Sequence, residues 1–213
     1  SLAIFPNKRF IRLPNVVEEE KLPVELNRTF SPDTKLPHFI MPVRLCERIK
    51  GIMNFFKAIG SENVKRAIFD ILGDGNDEEM IRTFIRENGY ENNILLHGFC
   101  NMETVNGYYK NCDVMVLPSF SDQSPLSLVE ACCKGLPILA SNRCGNHYET
   151  IEYGTNGYTF DPDNHREVKD AFEKIMGRRS EWKQMGEKSI KLFEHNFKQS
   201  VVLPRFIAAI ENS

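Results

Sequence analysis

The sequence predicts an α/β protein built on a doubly wound parallel sheet of about six strands. Two observations carry this expectation. From His38 onward, short apolar runs alternate with amphipathic stretches of helical period, the pattern of parallel strands joined by helical crossovers. The turns between them are short and marked by glycine, as at Gly73-Asp-Gly75, Gly89 and Gly98, so each strand feeds its helix directly.

The elements follow in order. Residues 1–37 contain five prolines and little periodicity beyond the strand-like Arg9–Leu13. They read as a linker and the remnant of a missing N-terminal domain. Phe39–Val43 is the first strand, and Glu47–Ile59 a helix with Ile49, Ile52, Met53 and Phe56 on one face. Ala67–Leu72 is the second strand, followed by a helix over Asp77–Asn88 that Gly89 stops. Ile94–Leu96 is the third, with a helix at Met102–Lys110. Val114–Leu117 is the fourth and ends at Pro118. After a polar loop, a mostly apolar helix runs from Pro125 to Lys134, with Ser124 as N-cap and Pro125 at the first helical position. Ile138–Ser141 and Gly157–Phe160 are the fifth and sixth strands, with a short helix near Tyr148–Glu152 between them. Asn164 and Glu167 form a capping box for a helix ending at Met176. Further helices cover Glu181–His195 and begin at Pro204. The globular domain spans residues 38–196, and residues 197–213 add a C-terminal helix.

Composition excludes several classes. With 27 Lys and Arg against 29 Asp and Glu, net charge −2 and no long basic block, nucleic acid is not an expected partner. No apolar run approaches the roughly 18 residues of a membrane span, and no secretory signal opens the chain, so a cytoplasmic location is expected. The six cysteines lack C-x-x-C spacing and mostly lie in apolar segments. They read as reduced, buried thiols rather than zinc ligands. The chain begins at Ser1 without a methionine, which suggests a fragment.

Ligands of a doubly wound sheet sit outside the carboxyl ends of its strands. That rule gathers Arg44, Gly73–Gly75, Gly98–Cys100, Ser119–Ser127 and Ser141–Gly145 on one rim. Arg44 and Lys50 suit a diphosphate, a fork-shaped donor beside a point charge; their types equally fit surface cations beside Glu47. The helix start at Ser124, Pro125, Leu126 and Ser127 offers unpaired N–H groups to an anion. Glu130 stands eight residues after Asp122. It is placed either to take hydroxyls of the same ligand or to pair with Lys134 at i, i+4 on a solvated face. No G-x-G-x-x-G follows any strand and no P-loop occurs, against a nicotinamide or flavin enzyme and against a P-loop nucleotidase. Asp161-Pro-Asp163 reads as a turn into a helix cap rather than a metal site, and His97 as a core-edge histidine satisfied by backbone.

Taken together, Arg44…Lys50-Gly51, Leu72-Gly-Asp-Gly75, His97-Gly-Phe99 and Pro118-Ser119…Asp122…Glu130-Ala131…Gly135-Leu-Pro137 resemble the C-terminal domain of GT-B retaining glycosyltransferases of family 4. The resemblance runs from about residue 11 to 165, with Leu13-Pro-Asn-Val16 similar to the segment ending that family's N-terminal domain. It implies a Rossmann-like, nucleotide-sugar-binding half of a GT-B fold over residues 38–196. It implies hexosyl transfer with retention from a UDP- or GDP-sugar, without metal or cofactor, in polysaccharide or glycolipid synthesis. By the same resemblance Arg44 and Lys50 neutralise the diphosphate, Asp122 positions the sugar and Glu130 binds the ribose. Ser124–Ser127 and Gly73 line the donor, and backbone groups near Phe99 and Cys100 hold the base. Asp122 stands where the family usually has Glu, and Pro125 where it often has Gly. The implied partners are a missing N-terminal domain of the same polypeptide and an acceptor glycan or glycolipid, at the cytoplasm or peripheral to the inner membrane face. The chain itself would be an inactive fragment lacking the acceptor domain. A GT-B-like sugar-nucleotide epimerase and a non-catalytic sugar-nucleotide-binding domain are the alternatives.

Overall fold

Six strands form a single sheet: β1 (His38–Pro42), β2 (Ile68–Leu72), β3 (Ile94–Leu96), β4 (Val114–Leu117), β5 (Ile138–Ser141) and β6 (Gly157–Phe160). The computed structural model describes residues 28–211 together with residues 14, 17, 23 and 24; the strand-like Arg9–Leu13 lies outside the described residues. Every pairing is parallel, in the order β3-β2-β1-β4-β5-β6. Parallel strands covered on both faces need apolar residues at every position, and β4 and β5 are buried throughout. Around the sheet lie α1 (Glu47–Lys50), α2 (Ile52–Ile59), α3 (Ser61–Val64), α4 (Glu78–Asn88), α5 (Met102–Asn111), α6 (Leu126–Cys133), α7 (His147–Thr150), α8 (His165–Met176), α9 (Trp182–Asn196) and α10 (Gln199–Glu211). Phe39 of β1 centres one layer of the core, 5.3 Å from Phe69, 5.6 Å from Phe172 and 6.3 Å, edge-on, from Trp182. Residues 28–37 are stitched to this body. Arg28 donates to the carbonyls of Tyr109, Cys112 and Lys134, and Arg179 to those of Ser31, Pro32 and Lys35.

The structure corrects three expected elements. The helix expected over Glu47–Ile59 is two helices, because Gly51 takes the left-handed conformation (φ 60°, ψ 33°) where α1 meets α2. A side chain there would stand 2.8 Å from the Pro118 carbonyl, so backbone packing forces the break. It turns Ile49 outward, 38% exposed, while Ile52, Met53 and Phe56 stay in the core. Secondly, Pro125 occupies the cap position of α6, in place of Ser124, with an extended ψ of 120°. Its carbonyl accepts from Asn146 Nδ2 at 3.0 Å and from the Leu128 N–H at 3.3 Å, which moves the helix start to Leu126. Finally, Pro204 lies inside α10 instead of opening it. The Lys198 carbonyl already accepts from Val201 and Val202 at 2.8 and 3.0 Å, so the helix is under way, and the proline forfeits one bond within it. The Asn164–Glu167 capping box forms as expected.

Candidate functional site

The strand order reverses between β1 and β4, and in a doubly wound sheet a crevice opens at that point, beyond the carboxyl ends of the strands. The loops leaving β1 and β4 are drawn together there. The N–H of Phe120 donates to the Ile49 carbonyl at 2.8 Å, docking the β4 loop on the end of α1. The result is an ion pair between Lys50 Nζ and Asp122 Oδ2, residues 72 apart in the chain and each with 18% of its side chain exposed. The Asp122 backbone is clamped as well, its N–H on the Arg143 carbonyl at 3.3 Å and its carbonyl on the Gly145 N–H at 2.8 Å. Arg44 is exposed just past β1 and lines, with Arg48, Ile49 and Asp77, a cavity of about 340 Å³. Among the described residues Glu47 makes no ion pair with Arg44 or Lys50. Its carboxylate accepts from the Met53 and Asn54 N–H groups at 2.9 Å each, capping α2.

Across the crevice, Ser124 and Leu126 are exposed at the start of α6 and Pro125 is buried beneath them. Glu130, on the same helix, is half-buried and accepts from the hydroxyl of the fully buried Tyr109 at 2.9 Å. The solvated i, i+4 pair with Lys134 is not what the structure has: Lys134 is 3% exposed and its ammonium donates to the Pro23 carbonyl at 2.7 Å. Burial pushes the Glu130 carboxyl above the usual carboxylate range, while the Tyr109 bond and the Lys134 charge oppose that rise. Sequence reasoning missed Tyr109. It sits in an apolar period of α5, where a phenol with a polar duty looks like any core aromatic.

The far side of the rim is set by close backbone approach. Gly73 (φ 138°) pairs with Gly98, its N–H donating to the Gly98 carbonyl at 2.8 Å, and a Cβ on Gly73 would lie 2.0 Å from the Val43 carbonyl oxygen. That approach holds the β1, β2 and β3 ends level. Phe99 projects beyond them, 79% exposed, next to the half-buried Cys100. His97 is satisfied by side chains rather than backbone: Nε2 meets Asp70 Oδ1 at 2.8 Å and Nδ1 meets the Tyr108 hydroxyl at 3.0 Å. Asp70 Oδ2 also takes His38 Nδ1 at 2.8 Å. Burial disfavours the charged Asp70, but the two histidine bonds outweigh it and hold the carboxyl below its usual range.

Asp161 and Asp163 both bond Arg143, at 3.2 Å each, and the Asp163 N–H closes a turn on Asp161 Oδ1 at 3.1 Å, the turn into a cap that their spacing predicts. Among the described residues no group of three or more His, Cys, Asp or Glu is placed to hold a metal ion. None of the six cysteines is in a disulfide, and burial pushes the Cys144 thiol up to about 12.

Comparison with known proteins places this geometry. At 34% identity over 107 residues the chain is similar to the GtfA subunit of the UDP-N-acetylglucosamine–peptide N-acetylglucosaminyltransferase of Streptococcus agalactiae, covering 49% of the chain and 21% of the relative. At 24% identity over 169 residues it is similar to the uncharacterised glycosyltransferase MJ1607 of Methanocaldococcus jannaschii, covering 79% and 42%. The matched regions thus cover less than half the length of these curated relatives. Among solved structures, the apo lipopolysaccharide outer core galactosyltransferase WaaB superposes with a TM-score of 0.79 at 20% identity, over 96% of this chain and 55% of that one. Pneumococcal GtfA in complex with UDP and GlcNAc superposes with a TM-score of 0.66 at 20% identity, over 87% and 38%. Anabaena HepE in complex with UDP gives 0.72 at 16%, over 84% and 49%. The family profile for glycosyl transferases group 1 matches residues 25–192, which takes in every strand of the sheet and both flanks of the switch-point crevice. The chain therefore belongs to the group 1 glycosyl transferases, and its Rossmann-like sheet is that of their GT-B fold.

Proposed function

We propose that this chain is the donor-binding half of a retaining, metal-independent hexosyltransferase that uses a UDP-sugar. The observation that carries the reading is the meeting, at the switch point, of the Lys50–Asp122 pair with the start of α6 and the half-buried Glu130. Negative charge developing on the departing diphosphate is met by Arg44, Lys50 and the N–H groups opening α6. Asp122 releases Lys50 toward the diphosphate and turns to the donor sugar. Glu130 accepts from the ribose hydroxyls, and backbone groups near Phe99 and Cys100 hold the base. Pneumococcal GtfA and Anabaena HepE, both similar to this chain in fold, are seen in complex with UDP. A separate N-terminal domain supplies the acceptor side of the cleft, and the setting is polysaccharide or glycolipid synthesis at the cytoplasmic face of a membrane. Among the described residues no helix is long and apolar enough to cross that membrane.

The test is calorimetric titration of wild type and Glu130→Gln with UDP and with 2′,3′-dideoxy-UDP. The amide keeps the shape but removes the charge that strengthens bonds from hydroxyls, so UDP affinity should fall about tenfold while the dideoxy analogue binds both proteins alike. Equal losses for the two ligands, or none for either, overturn the reading.

A further inference from the structure

We propose that Tyr109 is a positioning residue for nucleotide recognition: its hydroxyl occupies one carboxylate oxygen of Glu130 and aims the other at the ribose. This rests on the ribose role of Glu130 proposed above. Tyr109 is fully buried on α5, and its hydroxyl reaches across to α6, 2.9 Å from Glu130 Oε2. The alternative acceptor, the Ser127 carbonyl, stands at 3.4 Å, so the single proton of the phenol goes to the carboxylate. No described residue donates to Glu130 Oε1, which leaves that oxygen for a ligand.

A glutamate without this bond has three rotatable torsions and spreads over several rotamers. Fixing one oxygen from a neighbouring helix removes that freedom before the ligand arrives, which favours binding. The phenol suits the task because it stays a donor: burial, reinforced by the nearby Glu130 charge, holds it far above the range in which it ionises. Among the described residues, the charged or titratable groups acting on Glu130 are Tyr109 from α5 and Lys134, which caps the end of α6. Only Tyr109 among the described residues hydrogen-bonds the carboxylate, and the Cys112 thiol acts electrostatically on the phenol.

Tyr109→Phe keeps the ring and removes one hydroxyl. Titrated with UDP, the variant should lose about tenfold in affinity, with 2′,3′-dideoxy-UDP unaffected. Without the donor the Glu130 carboxyl rises further, so on acidification UDP binding should fail at a higher pH than in wild type. In a Tyr109→Phe/Glu130→Gln double variant the two losses should not add, since both act through one carboxylate. Unchanged UDP affinity, equal losses for both ligands, or an acid limb that stays in place each overturns the positioning role. Thermal unfolding measured alongside identifies a loss that is merely structural. A ribose-specific loss in Glu130→Gln with none in Tyr109→Phe sinks the role of Tyr109 alone. No ribose-specific loss in Glu130→Gln sinks the underlying reading and this inference with it.

Discussion

Replacing Gly51 by alanine should damage both stability and ligand binding, and a second glycine separates the causes. Gly51 and Gly89 both sit in the left-handed region, at φ 60° and 65°, where a side chain costs roughly 1–2 kcal/mol. A Cβ on Gly89 meets nothing within 4 Å, whereas one on Gly51 meets the Pro118 carbonyl at 2.8 Å and the Phe120 ring at 3.1 Å. The ring can yield, but the carbonyl belongs to the end of β4 and moves only with the strand. Relieving such an overlap typically costs about 1–3 kcal/mol more. For a chain of 213 residues each kcal/mol lowers Tm by about 2–4 °C. Gly51→Ala should therefore melt roughly 2–12 °C below Gly89→Ala. The displaced loop carries Asp122, and its Phe120 N–H is bonded to the Ile49 carbonyl, so UDP affinity should fall in Gly51→Ala and hold in Gly89→Ala. Differential scanning fluorimetry and UDP titration of the two variants decide the matter. Equal melting temperatures with equal UDP affinities would falsify the claim that close backbone approach at Gly51 sets the site.

Two more outcomes are expected. Arg44→Ala and Lys50→Ala should each weaken UDP binding about tenfold to a hundredfold, the worth of a charged hydrogen bond, with the fold intact by circular dichroism; unchanged calorimetric affinity in both would return them to ordinary surface cations. Asp70→Asn should cost stability in a defined pH window. The Asp70 carboxyl is depressed by its histidines, so its contribution is present above the unfolded value near 3.9 and lost as pH falls further. The His38 imidazole is raised chiefly by its bond to Asp70, so that contribution is present below about 6.5 and lost as pH rises through the folded value. The gap in urea unfolding free energy between wild type and variant should then be widest between about pH 4 and 6.5, and a gap independent of pH would rule the pairing out as its source.

The elements and their parallel arrangement are written locally in this chain. The apolar runs at β4 and β5, the stop at Gly89 and the Asn164–Glu167 box each depend on neighbours within a turn or a strand. Period and punctuation report on such neighbours, so the rim bearing Arg44, Asp122 and Glu130 could be placed without knowing what touches what. Contacts across the chain are another matter. Lys50 meets Asp122 over 72 residues, Tyr109 meets Glu130 over 21, and His97 meets Asp70 over 27. Each is decided by how closely two backbones approach once the sheet is assembled. The same approach breaks the helix at Gly51 under the Pro118 carbonyl and hands the Pro125 carbonyl to Asn146. Lys134 shows the limit plainly. Its spacing from Glu130 favours an i, i+4 pair, yet packing buries it and gives its ammonium the Pro23 carbonyl. A local pair is worth only tenths of a kcal/mol, too little to resist what the assembled core requires, so the partners of the site's charges follow from the tertiary structure alone.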